Sequence, residues 1–222
     1  MNKLLRKYEN LLNINATIVK DLFDKVTYPW EVLPMIGDYI LKNGPLLSDE
    51  YTLYKDEVWI HKNVKISEKA DINGPTIIDE GTEIRPGAYI RGNAIIGKNC
   101  VIGNSTEIKN SILFDNCKCP HYNYIGDSIL GEGAHTGAGV ILSNVKSDKS
   151  YITVKDKEML ETGLKKMGAI LGDYSDIGCN SVICPGSIIG KYTNVYPLTM
   201  VRGVIKDKKI VKSMENIVDK KI

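Results

Sequence analysis

Three stretches of the chain gather side chains that can do acid–base or anion chemistry. Glu107-Ile108-Lys109-Asn110 sets a carboxylate, an ammonium and an amide close together. Pro120-His121-Tyr122-Asn123-Tyr124-Ile125-Gly126-Asp127 follows, and after it Gly131-Glu132-Gly133-Ala134-His135-Thr136-Gly137-Ala138-Gly139 and Asn144. His121 brings an imidazole, which titrates near neutral pH and suits proton transfer. Cys117, Cys119 and His121 alternate along the chain and could face one metal ion. The C-x-C-x-H spacing supplies no fourth ligand, however, and His61, His121 and His135 include no close pair. No metal is expected.

These groups need a scaffold, and an internal repeat supplies it. Ile66, Ile72, Ile78, Ile84, Ile90, Ile96, Ile102 and Ile108 recur at a period of six, and Phe114 continues the phase. A small residue stands four places after each of the first seven: Ala70, Thr76, Thr82, Ala88, Ala94, Cys100 and Thr106. A second run resumes with Leu171, Ile177, Ile183, Ile189, Val195 and Val201. Helices repeat at 3.6 residues and single strands at two, so neither explains an uninterrupted six. A prism-shaped coil does. Each six-residue unit makes one short strand and one corner, three units close a turn, and the aliphatic side chains stack inside. Gly97, Gly103, Gly172, Gly178 and Gly190, each directly after an aliphatic position, are expected to let the backbone turn.

The coil is expected over 58–205, about six turns, with a Lys-rich excursion loop at 145–168 that breaks the phase. Residues 1–57 read as a helical N-terminal cap over the bottom coil. One stripe runs through Leu4, Leu5, Tyr8, Leu11 and Leu12, another through Ile18, Val19, Leu22, Phe23 and Val26, and Pro29 opens a further helix through Trp30 and Ile40. Residues 206–222 form a tail, its last ten a short helix or frayed. The 222 residues are 43% hydrophobic and 25% charged, which excludes disordered and collagen-like classes. With 29 Lys and Arg against 27 Asp and Glu, no electrostatic reason appears for nucleic acid. No apolar run reaches the ~18 residues of a membrane span. No apolar segment follows the basic first residues, and five cysteines form no framework, so a cytoplasmic location is expected.

The repeat resembles that of the left-handed parallel β-helix acyltransferases, and the left hand is taken from that resemblance. The element His-x-x-Tyr-x-Gly-Asp, then Gly-Ala-Gly and Asn, is similar to the acetyltransferase half of bifunctional N-acetylglucosamine-1-phosphate uridyltransferases. It is closer still to the C-terminal domain of archaeal sugar-1-phosphate nucleotidylyltransferases. The resemblance implies acetyl transfer from acetyl-CoA to the amine of a hexosamine phosphate (glucosamine or galactosamine 1-phosphate). It implies a homotrimer with CoA in the groove between prisms. His121 matches the family's catalytic base and Asn144 the asparagine beside amine and acetyl group. Tyr124, Lys109 and Glu107 match a sugar-phosphate tyrosine, a phosphate lysine and a positioning carboxylate, and Ala138 a backbone contact. Arg85-Pro86-Gly87-Ala88 looks most like the family's Arg-Pro-Gly-Ala. Arg91, however, lies one full coil before Lys109, so the two should stack and converge on one phosphate, with Arg85 second and on the adjacent face.

Two positions depart from the family pattern. His135 stands where the bacterial enzymes carry a sugar-binding asparagine, and Cys179 where they carry a serine near the acetyl group. The loop lysine reaching a neighbouring subunit is Lys149 or Lys155. The alternatives are a catalytically silent trimeric regulatory or assembly module, or acetylation of another small acceptor. A uridyltransferase activity would need a separate α/β nucleotide-binding domain, which some 60 helical residues cannot supply.

Overall fold

The computed structural model describes residues 7–156 and 158–221. It is a mainly β parallel solenoid of eight turns with three flat faces. The first face stacks eight parallel strands from Val58–His61 to Val204–Ile205, extended by the antiparallel strand Tyr51–Lys55. The second runs from Lys65–Ile66 to Lys209–Ser213, and the third from Asp71–Ile72 to Met200–Val201. The reason is local: one aliphatic residue per hexad points inward. Ile72, Ile78, Ile84, Ile90, Ile96, Ile102, Ile108, Leu171, Ile177, Ile183, Ile189, Val195 and Val201 form one continuous buried column. The small partners Thr76, Thr82, Ala88, Ala94, Cys100 and Thr106 are buried beside it.

The structure corrects several expectations. There are eight turns where about six were expected, because the stretch between the two aliphatic runs, with Ser111–Leu113 and Ile129–Leu130, coils as well. Phe114 does not continue the phase: Leu113 pairs with Ile96 and enters the core, so this coil is one residue short of the usual step. Phe114 turns outward and meets Phe23 edge-on, with ring centroids 5.5 Å apart. The glycines after the aliphatic positions are not where the chain turns. The left-handed backbone falls two residues further on, at Asn99 (φ 53), Asn180 (φ 55) and Tyr192 (φ 57) among others. Gly103 serves close approach instead, since a Cβ there would strike the Pro120 carbonyl oxygen of the next coil.

The N-terminal segment forms short helical pieces, among them Lys20–Phe23, Pro29–Met35 and Ile36–Asn43, in place of long helices. Pieces this short gain their stability from packing. They pack on a flank, while the bottom coil is met by Gly44 against Trp59 and by Tyr51–Lys55, a strand and not part of a helical cap, which pairs with Val58–His61. Ile77, Ile95, Ile112, Ile129, Ile170 and Ile188, the outward residues of the first face, are all fully buried. Phe23, Trp30, Leu33, Ile36 and Ile40 cover them together with Ile152, Val154 and Met167 of the excursion loop. The Asp115 and Asp173 amides, two coils apart, donate to the Ala16 and Leu11 carbonyls. Leu4 and Leu5 lie outside the described residues. The tail is a hairpin, Lys209–Ser213 with Asn216–Asp219, because Val211 still fills the core and the strand pairs with the coil below. The excursion carries its own hairpin, Thr153–Lys155 with Met159–Glu161.

Candidate active site

Stacked coils place residues that are far apart in sequence one above another, at ~4.8 Å per step. On the third face, Tyr89, Glu107, Tyr124 and Ile141 are in register. Arg91 follows Ile90, which pairs with Ile108, so Arg91 stacks beside Lys109. The structure thus brings Arg91, Glu107, Lys109, Tyr124 and Asn144 into one patch. Arg91 Nη1 lies 2.6 Å from Glu107 Oε1, and Lys109 Nζ 3.2 Å from Asp127 Oδ2. Asn144 Nδ2 donates to the Tyr124 hydroxyl at 3.1 Å and to Asp127 Oδ2 at 2.5 Å. Burial raises the Tyr124 pKa above the usual phenol value, against the lowering effect of the Asn144 hydrogen bond. The hydrogen bond to Glu107 raises that of the Arg91 guanidinium.

Asp127 is the residue that sequence reasoning quoted without a role. Its carboxylate is buried and held by Lys109, Asn144 and Asn110, whose Nδ2 donates at 2.8 Å. Its own backbone sits in the left-handed region (φ 48). The coil spacing after Lys109 was a usable signal. Both cations of the patch already have a carboxylate, and the two pairs differ. Arg91–Glu107 is a solvent-screened pair at the surface, so the guanidinium can leave it for a phosphate at little cost. Lys109 can keep Asp127 and still offer a proton to a second acceptor.

His121 ends the second-face strand Lys118–His121 and has an exposed ring. Its carbonyl accepts from the Gly139 amide of the next coil, the Ala138 carbonyl from Asn180, and the Cys179 carbonyl from Leu198. These equivalent bonds set His121, Ala138 and Cys179 in one line along the corner between the second and third faces. Asn123 braces that corner, its Nδ2 donating to the Gly137 carbonyl at 2.7 Å. Cys179 is exposed and the line is open to solvent.

Two candidates fall elsewhere. Arg85 is on the second face, paired with Glu83 at 3.1 Å, and does not meet Lys109. His135 is also on the second face, its Nδ1 2.7 Å from Asp176 Oδ1. That hydrogen bond holds the Asp176 carboxyl below its ordinary pKa. Lys149 and Lys155 are both exposed on the excursion. Cys117 and Cys119 point into the core, where burial pushes the Cys119 thiol up to about 12. The alternation with His121 therefore does not converge, and no group of three metal-ligating side chains occurs among the described residues.

A family model described as EIF2B subunit epsilon LbH domain matches residues 55–157. The chain is 35% identical over 92 residues to the bifunctional sugar-1-phosphate nucleotidylyltransferase/acetyltransferase of Sulfurisphaera tokodaii, covering 41% of this chain and 23% of that protein. It is 33% identical over 110 residues to the bifunctional protein GlmU of Methanococcus aeolicus, covering 50% and 27%. The matches thus span about a quarter of these relatives' length. Among solved structures, a UDP-N-acetylglucosamine acyltransferase of Francisella novicida aligns with TM-score 0.42 and 17% identity, over 73% of this chain and 70% of that one.

Proposed function

We propose that the protein transfers an acetyl group from acetyl-CoA to the amine of a hexosamine phosphate. The observation that carries this reading is the convergence of Arg91, Glu107, Lys109, Tyr124 and Asn144 on one face, bordered by the corner line of His121, Ala138 and Cys179. Residues 55–157, the span of the family match, contain all of these except Cys179. The names of the two archaeal relatives, one of which states an acetyltransferase activity, lend support over that part of the chain.

In the reaction, the acceptor phosphate draws Arg91 from Glu107 and joins Lys109, while Asp127 keeps the ammonium in place. Glu107 is then free to accept from the sugar or its amine. The amine nitrogen attacks the thioester carbonyl carbon, His121 takes the proton it loses, and the carbon–sulfur bond breaks. The same proton passes to the departing thiolate. CoA runs along the corner line, where Ala138 offers backbone and Cys179 a small side chain. A homotrimer completes the site by setting a neighbouring prism against this groove. Ile141, Val182 and Met200 support that assembly: they stack on the third face as exposed apolar residues, next to Leu198, which is 79% exposed. Lys149, exposed on the excursion, would reach the neighbouring site, whereas Lys155 lies against this chain's own coil. No described helix is long and apolar enough to cross a membrane. The five free cysteines favour a cytoplasmic location.

The test is acetyl-CoA consumption against glucosamine 1-phosphate, galactosamine 1-phosphate and simple amines. Turnover with an amino-sugar phosphate and not with simple amines is expected. No turnover with any amine would favour the second reading, a silent assembly module. That reading draws on the printed name of the family model, which is that of a subunit, and on Cys179 and His135.

A further inference from the structure

The excursion hairpin does more than cover the first face. It leans on two upper corners of the coil, where Gly186 (φ 76) and Gly203 (φ 84) leave room for it. A Cβ on Gly186 would come 2.7 Å from the Thr153 carbonyl oxygen, and one on Gly203 would come 2.9 Å from that of Lys155. Between hairpin and coil this leaves a cleft of about 460 Å³. Its lining includes Ser143, Lys146, Asp148, Lys155, Cys184 and Arg202. Three cations thus face one carboxylate. Lys146 is pinned within the loop, its Nζ donating to the Tyr151 carbonyl at 2.6 Å. Lys155 and Arg202 are exposed, and neither forms an ion pair among the described residues.

The cleft is separate from the patch of Arg91 and Lys109. Ser143, Cys184 and Arg202 follow the paired core residues Leu142, Ile183 and Val201, so they climb the same edge of the third face on successive coils. Cys184 is three steps above Lys109, or about 14 Å. The His121 line runs along the opposite edge. Both cations of the lower patch are matched by carboxylates, whereas this upper cleft carries a surplus of positive charge with hydroxyls beside it.

We infer that this cleft is a second phosphoryl-binding site, built to take a diphosphate between Lys155 and Arg202. Planar guanidinium and ammonium donors set apart on two elements suit an anion with oxygens at both ends. Its chemistry is that of a diphosphate, carried by a nucleotide or by the CoA of a neighbouring copy, since this chain's own corner line lies on the opposite edge. Binding at the cleft does not require acetyl transfer, so its test stands apart from the activity proposed above.

Inorganic pyrophosphate is titrated calorimetrically into the full chain, and alkylation of Cys184 and Cys179 is followed by peptide mass spectrometry. Pyrophosphate should bind and slow alkylation of half-buried Cys184 about threefold or more while sparing exposed Cys179. Sodium chloride at equal ionic strength should not. Lys155→Ala and Arg202→Ala, both at exposed positions, should each weaken binding about tenfold. Protection of Cys184 by a nucleoside diphosphate and not by CoA would assign the group to a nucleotide, and the converse to CoA. Absence of pyrophosphate binding to the wild type, or undiminished binding in the double variant, would overturn the inference.

Discussion

At the residue scale, the two arginines are rival candidates for the proposed acceptor phosphate. Arg91 stacks on Lys109, and its tie to Glu107 is cheap to exchange, so Arg91→Ala should raise acceptor KM about tenfold or more with little change in kcat. Arg85 is held by Glu83 on another face, and Arg85→Ala should stay near wild type in the same steady-state assay. KM controlled by Arg85 would reverse the assignment. The pair of His135 and Asp176 makes a different prediction, one about stability. The folded pKa of Asp176 is lowered, chiefly by the His135 hydrogen bond, relative to about 3.9 for an unfolded aspartate. Its contribution is therefore present above that value and lost as pH falls through the folded pKa. Urea midpoints of wild type and Asp176→Asn should differ modestly at pH 7, and the gap should shrink as pH falls below the ordinary aspartate range. A gap that stays constant down to the acid unfolding limit would mean that the carboxylate charge is not its source.

At the element scale, the core was readable because the coil forces one inward aliphatic residue per strand, and a period of six is hard to mistake for anything else. The covered flank left a second signal that a six-residue reading passes over. Ile77-Ile78, Ile95-Ile96, Ile112-Leu113, Ile129-Leu130, Ile170-Leu171 and Ile188-Ile189 are apolar doublets, and only one member of each can face inward. Doublets on one face in three mark a flank that something must cover. Phe114 misled for the same reason: it is apolar to meet Phe23, not to fill the prism. Phe114→Ala should cost ~3–5 kcal/mol, the range for deleting a buried phenylalanine, read as a lower urea midpoint. A loss below about 1 kcal/mol would mean that the N-terminal segment is only loosely seated. In the candidate site the motif residues were legible and Asp127 was not. Its role comes from a buried carboxylate meeting Lys109, Asn110 and Asn144, a meeting that only stacked coils create.

At the scale of the whole molecule, the N-terminal segment and the excursion loop cover one flank, while the third face keeps an apolar row beside the proposed site. Sedimentation at micromolar concentration should give three times the monomer mass, and Val182→Glu in that row should lower it. A stable wild-type monomer would contradict both the assembly and a groove shared between prisms. The proposed acetyl transfer rests on one imidazole at the corner of the coil. The direct measurement is acetyl-CoA turnover on an accepted amino-sugar phosphate by wild type and His121→Ala, with the trimer mass checked for both. Loss of the proton acceptor should lower kcat by about 10²–10⁴ and leave acceptor KM nearly unchanged, because the phosphate contacts of Arg91 and Lys109 remain. Full turnover by His121→Ala would contradict the proposed mechanism.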